Sequence, residues 1–117
     1  MKESILKNKS YFFALQIIET YKFISSHKKE FTLSRQLLKS GTSIGANIRE
    51  AEFAQSNKDF ISKMSIALKE SSETEYWLML LKDSDYLESQ NFNKLIGLNQ
   101  ELIKMLVSTI NTMKLKP

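Results

Sequence analysis

Apolar residues recur at spacings of three and four through four stretches of the chain, the period of one face of an α-helix. The first predicted helix covers residues 4–28, with Leu6, Ser10, Ala14, Ile17, Tyr21 and Ile24 on one stripe; it closes at His27-Lys28-Lys29, where cations suit the negative end of the helix dipole. The second covers 33–55 behind Thr32 as N-cap, with the stripe Leu33, Leu37, Gly41, Ile44, Ile48, Ala51. The third covers 58–85, capped by Ser56 or Asn57, with Ser56 and Asp59 spaced as in a capping box. Its stripe is Phe60, Ile61, Met64, Leu68, Ser71, Glu75, Leu78, Met79. The fourth covers 90–114, capped near Ser89, with Phe92, Leu95, Leu102, Leu106, Thr109 and Met113. Connections of about two to six residues force neighbouring helices to run antiparallel, so the pattern predicts an all-α, up-and-down four-helix bundle, one domain over residues 1–117.

Several positions break this pattern. Gly41 and Gly45 lie four apart inside the second helix, each costing about 1 kcal/mol against Ala, which implies that another helix comes close there. Ser71 and Glu75 put polar groups on the core stripe of the third helix; a buried Glu75 would need a partner, with Arg35, Arg49, Lys82 and Ser71 the candidates. Such a pair would set register; a ligand or catalytic role is the other reading. Ile5, Phe12 and Phe23 fall nearly opposite the core stripe of the first helix, with Leu15 between, and Phe53, Ala46 and Arg49 project away from that of the second. Ile96, Ile103 and Val107 widen the stripe of the fourth. Scattered surface hydrophobics are ordinary, but aromatic residues are typical of interface cores. Ile5, Phe12, Phe23 and Phe53 therefore point to a homo-oligomer interface.

Composition adds boundaries. The 117 residues suit one domain, and 42% hydrophobic with 26% charged residues is the composition of a folded protein. One Pro and three Gly favour long helices. With no Cys there is no disulfide framework and no thiolate metal site. The opening Met1-Lys2-Glu3-Ser4 lacks the apolar core of a signal peptide, and the longest apolar runs are too short to span a bilayer, so a cytoplasmic protein with no membrane role is expected.

Catalytic chemistry is sparsely provided for. The single histidine, His27, sits at a helix end, which suits a solvated dipole partner better than a general base. One His cannot build the Glu-x-x-His pairs of a di-iron bundle, and no metal site or cofactor is expected. Glu73 and Glu75 face different ways, so they form no acid/base pair. Gly41-Thr42-Ser43-Ile44-Gly45 lacks the Gly-Lys-Ser/Thr ending of a P-loop. The net charge of +4 is mild. Lys2, Lys7 and Lys9 cluster near the start, Lys28 and Lys29 mark the first turn, and Arg35, Lys39 and Arg49 share the outward side of the second helix. Such residues serve either as a solvated face or as a phosphate-tracking surface, and ring symmetry would multiply a weak field. No aromatic platform for stacking single strands is evident.

The stretch Ser34-Arg35-Gln36-Leu37-Leu38-Lys39-Ser40-Gly41-Thr42-Ser43-Ile44-Gly45-Ala46-Asn47-Ile48-Arg49-Glu50-Ala51 resembles the signature of the 23S rRNA-intervening-sequence proteins, with Lys39 in place of the usual Arg. Ser10 to Ile18 and, downstream, Lys58-Asp59-Phe60-Ile61, Ala67 to Ser71 and Glu73 to Leu78 also follow the family. The resemblance implies a bacterial, cytoplasmic four-helix bundle without established catalytic residues. A related branch, accessory to diversity-generating retroelements, forms a pentameric barrel that binds nucleic acid and a reverse transcriptase, so a homopentamer is the assembly to expect. The expected function is a non-enzymatic RNA- or nucleoprotein-associated scaffold contacting phosphates through Arg35, Lys39, Arg49, Lys28 and Lys29; the alternative is a protein–protein adaptor.

Overall fold

The chain forms four helices, α1 (Lys2–His27), α2 (Thr32–Ala51), α3 (Asn57–Asp83) and α4 (Ser89–Lys114). The computed structural model describes residues 2–116, with side chains from Ile5 onward; Met1, Pro117 and the side chain of Lys2 lie outside the described residues.

Each boundary has a local cause. After α1 the chain turns through Lys29 in the left-handed region, φ 55°, a conformation that favours glycine. Thr32 is the first residue of α2 and not its cap. The Glu30 carboxylate caps instead, accepting from the N–H groups of Thr32, Leu33 and Ser34 at 3.0, 2.9 and 2.8 Å. Helix α2 ends four residues before the predicted Gln55. The N–H groups of Glu52, Phe53 and Ala54 bond three residues back, while Asp59 at the start of α3 accepts from the Gln55 N–H. Ser56 caps α3, accepting from the Asp59 N–H at 3.1 Å. A Schellman motif closes α3: Tyr86 N–H donates to the Leu81 carbonyl at 2.9 Å and Asp85 N–H to that of Lys82 at 3.1 Å, with Asp85 at φ 69°. Glu88 occupies the N-cap position of α4 with no side-chain bond, so Ser89 is not the cap.

Residues that touch across the seams run in opposite sequence order. Gly41 meets Ile17 and Gly45 meets Ser10 between α2 and α1. Ser40 bonds Thr74 and Glu50 pairs with Lys63 between α2 and α3. Asn57, Ser71 and Lys82 of α3 reach Met113, Asn99 and Phe92 of α4. Lys9 pairs with Glu101 between α1 and α4. The result is an up-and-down bundle of 50 × 21 × 20 Å in which sequence neighbours pack on one another and α1 packs on α4 to close a square. The α2/α3 seam is the most extensive and the α1/α4 seam the slightest.

The core holds Leu6, Phe13, Ile17 and Ile24 of α1, Leu37, Ile44 and Ile48 of α2, Met64, Ala67, Leu78 and Leu81 of α3, and Leu95, Leu102, Leu106 and Ile110 of α4. The stripe predicted for α2 is the one observed from Leu37 to Ala51, while Leu33 is half-buried and Ser34 and Ser40 join the buried line. On α1, Phe13 enters the core while Ala14 and Tyr21 are only half-buried. On α3 the buried line is Met64, Ala67, Ser71, Thr74, Leu78 and Leu81, which corrects the predicted stripe: Met79 is exposed and Glu75 half-buried on the flank.

Candidate functional site

Two close approaches fix α1 against α2. A Cβ added at Gly41 would lie 2.8 Å from Ile17 Cγ1 and 2.9 Å from its Cγ2, so the missing side chain is what lets Ile17 seat on the α2 backbone. At Gly45 a Cβ would lie 3.2 Å from Ser10 Oγ.

The bundle carries a buried polar layer at mid-height. Ser71 Oγ donates to Asn99 Oδ1 at 2.5 Å, and Asn99 Nδ2 donates back to the Ser71 carbonyl at 2.9 Å. Thr74 Oγ1 and Ser40 Oγ are bonded at 2.9 Å. The partner of Ser71 is therefore Asn99 and not Glu75, and among the described residues no ion pair reaches Glu75 from Arg35, Arg49 or Lys82. Asn99 keeps register with Leu95 and Leu102, the spacing that could have revealed it. The layer contains no titratable group. Its side-chain hydrogen bonds tie α3 to α4 on one side and to α2 on the other.

The five cations singled out from the sequence do not converge. Arg35, Lys39 and Arg49 are all exposed on α2, but fourteen residues separate the first from the last, about 21 Å of helix. Lys39 faces Glu70, whose carboxyl is held above its ordinary value by burial first and then by Glu73, against the pull of Lys39 and Lys69. Lys28 lines a hollow of about 400 Å³ at one bundle end beside Asp83, Asp85 and Glu88; Lys29 makes the turn before α2. Lys7 is tied to Glu52 at 2.7 Å. Arg35, Lys39 and Arg49 are thus all without a described ion pair on the outer face of α2, and Lys39 alone of them lies in the field of Glu70.

Other hollows lie between helices. The largest, about 540 Å³, opens at the bundle end among Ile48, Phe60, Met64 and Met113, with Glu52 on its rim. Asn57 also lines it, donating to the Met113 carbonyl at 2.9 Å while its Oδ1 is buried without a partner. Two lie on the α1/α4 seam, one at Phe12, Leu98 and Glu101, the other at Phe23, Leu87, Glu19 and Glu88. A fifth, about 260 Å³, lies on the α1/α2 seam at Tyr11 and Arg49.

Ile5, Phe12, Leu15 and Phe23 are all exposed on α1, Phe12 at 48%. Phe23 stacks on His27 with ring centroids 4.7 Å apart, so the lone histidine rests on an apolar neighbour at the surface. Phe53, at 78% exposure, stands in the α2–α3 turn; since α2 has ended at Ala51, it does not belong to a helical stripe as the sequence suggested. Tyr11, passed over as a stacking platform, is 63% exposed. Among the described residues no group of three or more His, Asp or Glu could hold a metal, and no helix is long and apolar enough to cross a membrane.

Residues 2–108 match the family model described as 23S rRNA-intervening sequence protein. The chain belongs to that family. It is also similar to a crystal structure from Bacteroides thetaiotaomicron, described as a protein of unknown function from the S23 ribosomal protein family. The two are 50% identical, the match covers 95% of this chain and 99% of the other, and the TM-score is 0.94. No curated protein matches. In this 23S rRNA-intervening sequence protein the motif over residues 34–51 is mainly a packing motif. Ser34, Leu37, Ser40, Gly41, Ile44, Ile48 and Ala51 all face inward, and Arg35, Lys39, Ala46 and Arg49 face out. The motif therefore specifies how α2 is held, and its outward residues take no part in that packing.

Proposed function

We propose that this chain is a non-enzymatic scaffold that assembles with copies of itself and holds RNA against the outer face of α2. One observation carries the reading: exposed Phe12 and Phe23 and the exposed cations of α2 occupy separate faces. Phe12 and Phe23 lie on the flank of α1 toward α4, and Arg49 on the flank of α2 toward α1. Assembly through the first face leaves the second open to phosphates, and repetition by symmetry strengthens its field. A ring of five is the assembly that the family resemblance implies.

Filter binding at low and rising salt tests the RNA contact. Reversing Arg35, Lys39 and Arg49 to Glu should weaken binding and flatten its salt dependence. A wild type with no salt-dependent affinity for RNA at low ionic strength ends this reading. Light scattering tests assembly: Phe12→Ser with Phe23→Ser should lower the solution mass, and a monomeric wild type removes the oligomer.

Phe53 supports a second reading, an adaptor for a partner protein, because it stands almost bare in the α2–α3 turn, off the α1 face. A complex that survives nuclease and is lost on Phe53→Ser would favour it.

A further inference from the structure

The hollow between α1 and α2 differs from the others in its chemistry. Glu52 borders the largest cavity, three carboxylates line the one at Lys28, and Glu101, Glu19 and Glu88 line those on the α1/α4 seam. No carboxylate lines the α1/α2 hollow. Tyr11, Arg49, Lys7, Ser10 and Thr42 line it together with the small residues Ala14, Gly45 and Ala46. The Lys7 ammonium is engaged by Glu52, so the available positive charge is that of Arg49.

We propose that this hollow takes one unpaired nucleotide of an RNA strand, its base stacked on Tyr11 and its phosphate held by Arg49. The proposal rests on the RNA reading above and names the form of RNA. A planar base has a π-face that a protruding tyrosine can cover, and stacking of this kind tolerates any base. A duplex keeps its bases stacked within the helix and offers the same residues only phosphates and hydroxyls. Arg49 supplies the planar, always charged donor that suits a phosphate. The wide exposure of Tyr11 then has a use that packing does not give it. Arg35 lies far along α2 and would meet a different phosphate of the same strand.

Fluorescence anisotropy with labelled oligouridylate, and with a blunt RNA duplex of equal length, tests this. The wild type should bind the single strand more tightly. Tyr11→Ala should weaken single-strand binding by about fivefold or more while leaving the duplex unchanged, and Tyr11→Phe should retain it. Arg49→Gln should weaken both forms and lower the single-strand salt slope by about 0.7. If Tyr11→Ala binds like the wild type while Arg49→Gln is impaired, the hollow is not a base site, though the RNA reading stands. Preference for the duplex, or loss of assembly on Tyr11→Ala, also overturns the proposal, the latter because the hollow would then be a contact between copies. Failure of every form to bind overturns both.

Discussion

Along the solvent side of α2 stand Arg35, Gln36, Lys39, Ala46, Arg49 and Glu50; along that of α1 stand Ile5, Tyr11, Phe12, Leu15 and Phe23 among the polar residues. The two helices are neighbours, and each gives one face to the same core. Large apolar residues on α2 are kept off the solvent side, where Ala46 is the one apolar residue, as a helix at the edge of a finished bundle requires. On α1 they continue around the helix. A helix apolar on most sides is one meant to be buried on more than one. The difference separates what the bundle needs for itself from what it offers to something else, and adjacent residues on α1 illustrate it: Phe13 is fully buried and Phe12 is half exposed.

The largest effect sharpens that pair. Phe13→Ala should cost the monomer about 3–5 kcal/mol through lost burial and a cavity. Phe12→Ala should change it by no more than about 0.5 kcal/mol. Urea unfolding at concentrations where the chain is monomeric measures both; equal costs would erase the distinction between the two sides of α1. Next comes the α1/α2 contact. Gly41→Val should destabilise by about 1–3 kcal/mol because Ile17, branched at Cβ, cannot swing clear, whereas Gly45→Ala should be close to neutral. At Gly45 a gain of about 1 kcal/mol in helix propensity offsets the tight approach to Ser10 Oγ. Similar thermal melts for the two variants would show that α1 does not depend on the Gly41 contact.

Asn99→Ala should cost about 1–3 kcal/mol, since it removes two hydrogen bonds and strands the Ser71 hydroxyl in the core. Loss without a broadened melting transition would mean that the layer adds stability but not uniqueness. The smallest effect lies on the α2/α3 side. The folded state holds the Glu70 proton more tightly than the unfolded chain does, because burial and Glu73 outweigh Lys39 and Lys69. Ionised Glu70 therefore costs stability at neutral pH, and the cost disappears as pH falls below the ordinary glutamate range. Glu70→Gln should raise the melting temperature slightly at pH 7 and make no difference in acid; an equal shift at both pH values would remove the electrostatic cause.

Much of the bundle was legible because α2 and α4 are strongly one-sided, and there the apolar stripe coincides with the buried face. Helix α3 was misread by part of a turn. Ile61, Leu68 and Met79 on its α4 flank draw the apparent stripe toward them, while the true core positions Ala67, Ser71 and Thr74 are small and carry little hydropathy. That rotation put Glu75 in the core in place of Thr74. Asn99 was visible as a member of the Leu95–Leu102 line, but a polar residue there looked like a gap in the stripe. The cap of α2 was missed because residue type favours Thr32, whereas the longer Glu30 side chain reaches three N–H groups at once. Tyr11 looked like one more residue of a helix; its standing beside Arg49 depends on α2.

Periodicity, chain breakers and short connections determined four helices, their order and their antiparallel course, because these depend on residues close together in the chain. Only the tertiary structure decided that Ser71 meets Asn99, that Ile17 fills the place of a Gly41 side chain, and that Tyr11 and Arg49 line one hollow. The physical reason is that a sequence sets the angle of a side chain about its own helix axis, whereas its partner depends on the rotation and register of a second helix. Those are settled jointly by the packing of all four.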